Sequence, residues 1–205
     1  HSLLNAGITA NTGSVNRSLQ DGKSKVGELR MQEYDFLLMY EHKVRELDNL
    51  SLLKYELDKR GYRTKILYAN DYNLVKAHTA VYRTKVLVIG YCYTSSSIRD
   101  YASYRIKFDK VINLQWEQLT TNEQEEDSGS FRNLSGLAKE IVHISWGEKN
   151  QKRLIEKADV APQNVKVTGN ITMDLLRSEF RGFYTSREEI CRRYDLPSEK
   201  KICLF

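Results

Sequence analysis

The sequence predicts an α/β protein: a doubly wound parallel sheet with helices on both faces. Three observations carry that expectation. Tyr34–Tyr40 (YDFLLMY) is a nearly unbroken apolar run, the pattern of a strand covered on both sides. Ile141–Thr168 reads as strand, short helix and strand, a unit whose two strands must run the same way. Apolar β-branched runs then alternate with amphipathic stretches along most of the chain, the mark of a parallel sheet.

Each element has a local reason. Glu41-His42-Lys43 ends the first strand. Val44–Arg60 follows as a helix, because Val44, Leu47, Leu50, Leu53 and Leu57 recur at three- and four-residue spacing. Gly61 stops it. Thr64–Tyr68 is the second strand, and Asn70–Thr79 is loop or short helix. Thr84–Tyr91 is the third strand, ending at Gly90 and entering Tyr93–Ser97, whose hydroxyls suit a helix cap or an anion. Ile98–Phe108 is the next helix, and Lys110–Gln115 the fourth strand. Thr120–Phe131 is acidic and polar, as a surface loop is, and Ser135–Glu140 is a short helix.

Ile141–Ser145 is the fifth strand. Ser145-Trp-Gly-Glu148 has capping-box spacing, with Leu154 and Ile155 turned inward on the helix that follows. Pro162 keeps the next turn from being helical, Val165–Thr168 is the sixth strand, and Gly169-Asn170 breaks it. Ser186 caps a helix over Thr185–Tyr194, with Glu188 and Glu189 in its first turn and Pro197 beyond its end. Lys200–Phe205 (KKICLF) reads as a further strand. Residues 1–32 are a Ser-, Asn- and Gly-rich leader, disordered or foreign to the natural protein, with a natural start near Met31. The domain is expected over residues 33–198, with 199–205 opening a second one.

Composition narrows the class. The chain has 205 residues, enough for one α/β domain with a substantial core. No apolar run reaches the roughly 18 residues of a membrane-spanning helix. The three cysteines, Cys92, Cys191 and Cys203, are widely spaced and form no C-x-x-C, so reduced thiols and a cytoplasmic setting are expected. The net charge of +5 fits a mildly basic surface or attraction to phosphates or an anionic membrane face. Basic residues scattered among acids, without a recognised motif, argue against nucleic acid. There is no G-x-G-x-x-G after a strand, no P-loop and no G-x-S-x-G elbow. His1, His42, His78 and His143 lack metal spacing, and His143 reads as a packed residue within a strand.

In open parallel sheets, ligands bind beyond the carboxyl ends of the strands. Four such ends carry polar or aromatic residues. The first offers Glu41, His42, Lys43, Arg45 and Glu46; the third offers Tyr91, Tyr93, Thr94 and Ser95. The fourth offers Gln115, Trp116, Glu117 and Gln118, and the fifth Ser145, Trp146 and Gly147. Flat rings beside carboxylates and amides suit a sugar, which exposes both C–H faces and hydroxyls. Each residue also has a plain role. Trp116 and Trp146 serve equally as packing, Glu117 as a solvated or loop-bonded carboxylate, and Glu41 as an ion-pair partner of Lys43 or Arg45.

Three segments carry a resemblance: YEHKVREL, VINLQWEQL and HISWGEKNQKRLIEKADVAPQNVKVTGNITMDLLR. They resemble bacterial surface carbohydrate (polysaccharide) biosynthesis proteins, glycosyltransferases of the GT-B type. The wider group includes CDP-glycerol glycerophosphotransferase-like enzymes and, more distantly, sugar-nucleotide epimerases. The likeness spans roughly residues 33–205.

It implies a Rossmann-like domain, the N-terminal and acceptor-binding half of a GT-B fold. Such a half binds no cofactor or metal of its own and is inactive without a C-terminal domain that holds the nucleotide-activated donor. The implied partners are a carbohydrate or lipid-linked glycan acceptor and, through the other domain, the nucleotide-sugar. The implied place is the cytoplasm, with peripheral contact at the inner membrane face. Under this resemblance Glu117 is the expected catalytic base, with His42 and Glu41 as alternatives. Trp116 and Tyr91 hold the acceptor, and Lys43 and Arg45 meet its phosphate. Thr94, Ser95, Gln115, Ser145, Trp146 and Gly147 line the same cleft. The other functional classes are a sugar-nucleotide epimerase and a non-enzymatic α/β binding module.

Overall fold

The apolar run near the start of the chain becomes the interior strand of the sheet that its composition demands. In the computed structural model, which describes residues 32–70, 81–92, 108–116, 118, 134 and 136–203, β1 (Gln32–Tyr40) is flanked by β2 (Thr64–Tyr68) on one side and β3 (Tyr82–Ile89) on the other. β4 (Lys110–Asn113), β5 (Val142–Ser145) and β6 (Val165–Val167) extend the sheet outward from β3. All five pairings are parallel, and the order is β2-β1-β3-β4-β5-β6. This is the Rossmann-like α/β architecture read from the sequence.

Residues 1–31 of the expected leader, 98–107 of the expected helix Ile98–Phe108, the loop over 120–131 and all but Asn70 of the segment Asn70–Thr79 lie outside the described residues; Gln32, expected in the leader, opens β1, and Phe108 is not helical. Among those described, the chain divides into two compact units, one up to Ile171 and one from Thr172 onward.

Alternation along the strands fills two apolar layers. Phe36, Leu38, Val86, Val88, Ile112 and Leu114 pack with Leu50, Leu53 and Leu57 of α1 (Lys43–Lys59). Leu37, Met39, Leu87, Ile89 and Val111 face the other way. They pack with Ala138 of α2 (Leu137–Glu140) and with Leu154 of α3 (Glu148–Glu156). Successive residues of a strand point to opposite faces, so a strand apolar at every position needs cover on both.

The C-terminus of α1 follows from Gly61. Its φ of +84° is the left-handed conformation that closes a helix. The Tyr62 N–H donates to the Leu57 carbonyl at 3.2 Å and the Gly61 N–H to the Asp58 carbonyl at 2.8 Å. This pair of bonds satisfies carbonyls that the helix end would orphan.

Several local expectations are corrected. Val44 is 98% exposed, because the inward stripe of α1 runs through Glu46, Leu50, Leu53 and Leu57. The capping box at Ser145 does not form. Ser145 is the last residue of β5, paired with Val167, and its hydroxyl donates to the Gly147 carbonyl at 2.7 Å. Gly147 is the N-cap, so Glu148 sits at the first helical position, too early to reach back. Pro162 opens a 3-10 turn, Pro162–Asn164, since a first helical position tolerates its missing N–H. The fourth strand stops at Asn113, two residues early, because Gln115 adopts φ +52° and turns the chain.

In the second unit, a 3-10 turn over Ser178–Phe183 precedes a helix at Arg187–Arg193, and Ser186 Oγ accepts from the Glu189 N–H at 3.2 Å as expected. Lys200–Cys203, the described part of the expected last strand, pairs with no other strand among the described residues. Its neighbourhood bonds instead to Arg187, whose Nη2 donates to the carbonyls of Ser198 and Lys200. A strand exists only by pairing, and an apolar run alone does not supply the partner.

Gly61→Ala is expected to lower unfolding free energy by about 1 kcal/mol. The cost is conformational, since nothing lies within 4 Å of the added methyl. Denaturant titration of the two proteins checks it; equal midpoints would show that the left-handed turn is not needed.

Candidate functional site

A parallel sheet in this order reverses its winding direction between β1 and β3, since β2 and β3 leave β1 on opposite sides. The carboxyl ends of these two strands therefore border the crevice in which such folds bind ligands. β1 delivers Glu41 and His42 there, and β3 delivers Gly90 and Tyr91. β4 and β5 bring Gln115, Trp116, Ser145, Trp146 and Gly147 to the same edge of the sheet.

The first turn of α1 organises the β1 end. Glu46 is 1% exposed. Its Oε2 accepts from the Glu41 N–H at 2.8 Å and from the His42 N–H at 3.4 Å, so the carboxylate ties down the chain entering the helix. Its Oε1 accepts from Arg45 Nε at 3.1 Å and Nη2 at 2.8 Å. A negative charge in the first helical turn also suits the helix dipole. Arg45 thus pairs with Glu46 rather than with Glu41, and its guanidinium is held against the protein. His42 is the N-cap residue and is exposed, as is Lys43; Glu41 is half-buried.

At Gly90 the backbone is in close contact with a side chain. A Cβ there would lie 2.6 Å from both Cδ1 and Nε1 of Trp116 and 3.6 Å from Glu46 Oε2. The Trp116 indole therefore rests on bare backbone, with the Glu46 carboxylate beside it. The Trp116 N–H donates to the Gly90 carbonyl at 3.0 Å, which fixes the chain beneath the ring.

Beyond Trp116 the edge is a network of amides. Asn113 Oδ1 accepts from the Gln115 N–H at 3.1 Å, which sets the orientation of the Asn113 amide. Asn113 Nδ2 then donates to Gln115 Oε1 at 2.8 Å and to His143 Nδ1 at 3.3 Å. The imidazole must carry its proton on Nε2, which donates to the Ala138 carbonyl at 2.7 Å. His143 is packed, as its sequence position implied, and burial pushes its pKa below the ordinary value despite that bond.

Gln118 ties the exit of β4 to the start of α3. Its Nε2 donates to the Ile144 carbonyl at 2.7 Å, and its Oε1 accepts from the Trp146 N–H at 2.8 Å and Asn150 Nδ2 at 3.1 Å. Trp146 and Gly147 are half-buried beside it and Ser145 is buried.

Two buried donors at this edge, Gln115 Nε2 and Trp116 Nε1, have no hydrogen-bond partner among the described residues. A buried donor left unmade costs about 1–3 kcal/mol. Among the described residues Gln115 is also one of three non-glycine residues with positive φ, a conformation tolerated only where surroundings enforce it.

Tyr91 is half-buried at the β3 end, whereas Glu117, Thr94 and Ser95 lie outside the described residues. Sequence reasoning passed over Asn113, took Gly90 only as a strand end, and gave Glu46 and Gln118 no specific role. The spacing 46–50–53–57 could have revealed Glu46 as inward-facing, but the polar stretch around Gln118 had no periodic signal.

Among the described residues no group of three or more His, Cys, Asp and Glu could hold a metal ion, and no helix is long and apolar enough to cross a membrane. No protein-family model, curated protein or solved structure matches the chain.

The folded state resists protonating His143, while the unfolded chain protonates it near pH 6.5. Stability is therefore complete above that pH and falls as pH drops below it, until the folded imidazole also takes its proton. Denaturation midpoints between pH 7.5 and 5, in the native chain and in His143→Gln, measure the contribution. The same slope in both would remove His143 as its source.

Proposed function

We propose that the chain is the acceptor-binding half of a GT-B-type glycosyltransferase of bacterial cell-surface polysaccharide synthesis. The observation that supports this reading most is the composition of the carboxyl edge. Trp116 and Trp146 stand among amides and a buried carboxylate, at the strand ends of a parallel sheet whose winding reverses at β1 and β3. Rings offer a platform to sugar C–H faces, and amides and carboxylates meet sugar hydroxyls.

In this reading the nucleotide-activated donor sits on another domain. The acceptor hydroxyl attacks the anomeric carbon as the bond from that carbon to the nucleotide phosphate breaks. The hydroxyl proton passes to a carboxylate or imidazole, and the departing phosphate keeps the bonding electrons. Glu117 is the residue proposed for the proton, ahead of His42 and Glu41. Helix N-termini and basic side chains stabilise the leaving phosphate without requiring a metal.

Binding is tested on the chain itself. Calorimetric titration with short bacterial surface glycans is expected to show saturable binding that Trp146→Ala weakens, and no comparable binding of a nucleotide-sugar. Preference for the nucleotide-sugar would overturn the acceptor assignment.

Chemistry is tested in a polypeptide that carries the donor domain. There Glu117→Gln is expected to lower kcat by about 100-fold or more with the melting temperature preserved. Near-normal turnover would exclude Glu117 as the base. An epimerised sugar-nucleotide in place of an elongated acceptor would reassign the reaction.

A further inference from the structure

His143, Asn113 and Gln115 form a buried chain of hydrogen bonds that runs from α2 to the exit of β4. Asn113 and His143 are ladder partners on β4 and β5. The Ala138 carbonyl holds the imidazole proton on Nε2, so Nδ1 is bare and accepts from Asn113 Nδ2 at 3.3 Å. The other end of the same amide holds backbone. Asn113 Oδ1 accepts from the Gln115 N–H at 3.1 Å, where the chain turns at φ +52°. None of the three residues is more than 2% exposed. Gln115 Nε2 meets no acceptor among the described residues.

We propose that this chain is a proton-operated latch: protonation of His143 at Nδ1 reverses the Asn113 amide and releases the Gln115 backbone at the carboxyl edge of the sheet. The order of events follows from which atoms donate. An imidazolium donates from both nitrogens. Nε2 keeps the Ala138 carbonyl, so the ring does not turn away, and the new Nδ1–H faces the Asn113 amino group, donor against donor. Half a turn of the planar Asn113 amide in its own place sets Oδ1 against Nδ1–H. The amino group then faces the Gln115 N–H, and that bond is lost. Gln115 answers by reversing its own amide, which gives its orphaned Nε2 the Asn113 oxygen as acceptor. The protonated state thus exchanges a bond that fixes backbone for one between side chains. A non-glycine residue keeps a positive φ only while its surroundings enforce it, so the Gln115–Trp116 segment relaxes.

The charged side chains on the elements around the imidazole are Lys110 of β4, Lys139 and Glu140 of α2, Lys166 of β6 and the buried Arg153 of α3, whose other charges are exposed. None of these is its partner: its two bonds go to Asn113 and Ala138. Burial lowers its pKa and the Ala138 bond raises it in part. The latch therefore opens below the ordinary histidine value of 6.5 and is closed above it. It goes beyond the acceptor-half reading and does not depend on it.

NMR of the 15N-labelled chain between pH 7.5 and 4 tests the latch. The Gln115 backbone N–H signal is expected to move upfield, as a lost hydrogen bond requires, with the same midpoint as the His143 ring signals. His143→Gln removes the titrating group and is expected to leave the Gln115 signal unmoved over that range. Asn113→Asp offers carboxylate oxygens to the Gln115 N–H and to Nδ1–H at once. There the His143 midpoint is expected to rise by about one pH unit or more while the Gln115 signal stays in place. Should that variant not fold, the native chain and His143→Gln decide. Titration of His143 in the folded chain with the Gln115 signal unmoved would overturn the latch, and so would a Gln115 shift that persists in His143→Gln. Unfolding before the ring titrates, or a ring that stays neutral down to pH 4, would overturn it as well.

Discussion

Parallel pairing on both sides of β1 is the constraint on which the other features depend. A strand with neighbours at both edges has no free backbone groups to offer, and an all-apolar strand has no face to give to water. The remaining freedom lies at its ends. The sequence delivers polar residues where the strand stops, with Glu41 and His42 closing β1, Gly90 closing β3, and Gln115 and Trp116 following β4. Their gathering at one edge is the geometric result of strands that all run the same way.

That edge is held by side chains rather than by regular structure. Glu46 fixes the entry to α1 through backbone N–H groups, Asn113 fixes the left-handed residue after β4, and Gln118 fixes the turn between β5 and α3. Each is buried and polar, so each would be costly if its bonds were not made. Glu46 and Gln118 make them to backbone atoms of adjoining turns and strand ends, and Gln118 thereby ties the chain after β4 to the end of β5, its ladder neighbour. A residue such as Trp116 can then be held in place with its indole donor uncommitted.

The strands were legible because burial on two faces leaves a run of Leu, Val and Ile that no surface element would carry. The helix end at Gly61 was legible because the demand for positive φ is local. What stayed hidden depends on partners distant in the chain. The Ser145 hydroxyl satisfies a local capping pattern, yet sheet pairing with Val167 claims the residue first. Val44 fits an apolar spacing, yet the charged Glu46 takes the inward place because the strand end supplies N–H groups for it. Lys200–Cys203 has the composition of a strand and pairs with no strand among the described residues. The candidate site follows the same division. Its location was readable from strand polarity, whereas the roles of Glu46, Gly90 and Asn113 required the packing to be seen.

The order of the strands carries a consequence for synthesis. From β4 onward every strand lies beside the one translated just before it, and β1, α1 and β2 form a contiguous segment. The sheet can therefore grow outward as the ribosome releases it, each new strand finding a docking edge already in place. Contacts between chain neighbours close cheaply, so such vectorial assembly limits how long any apolar edge waits uncovered.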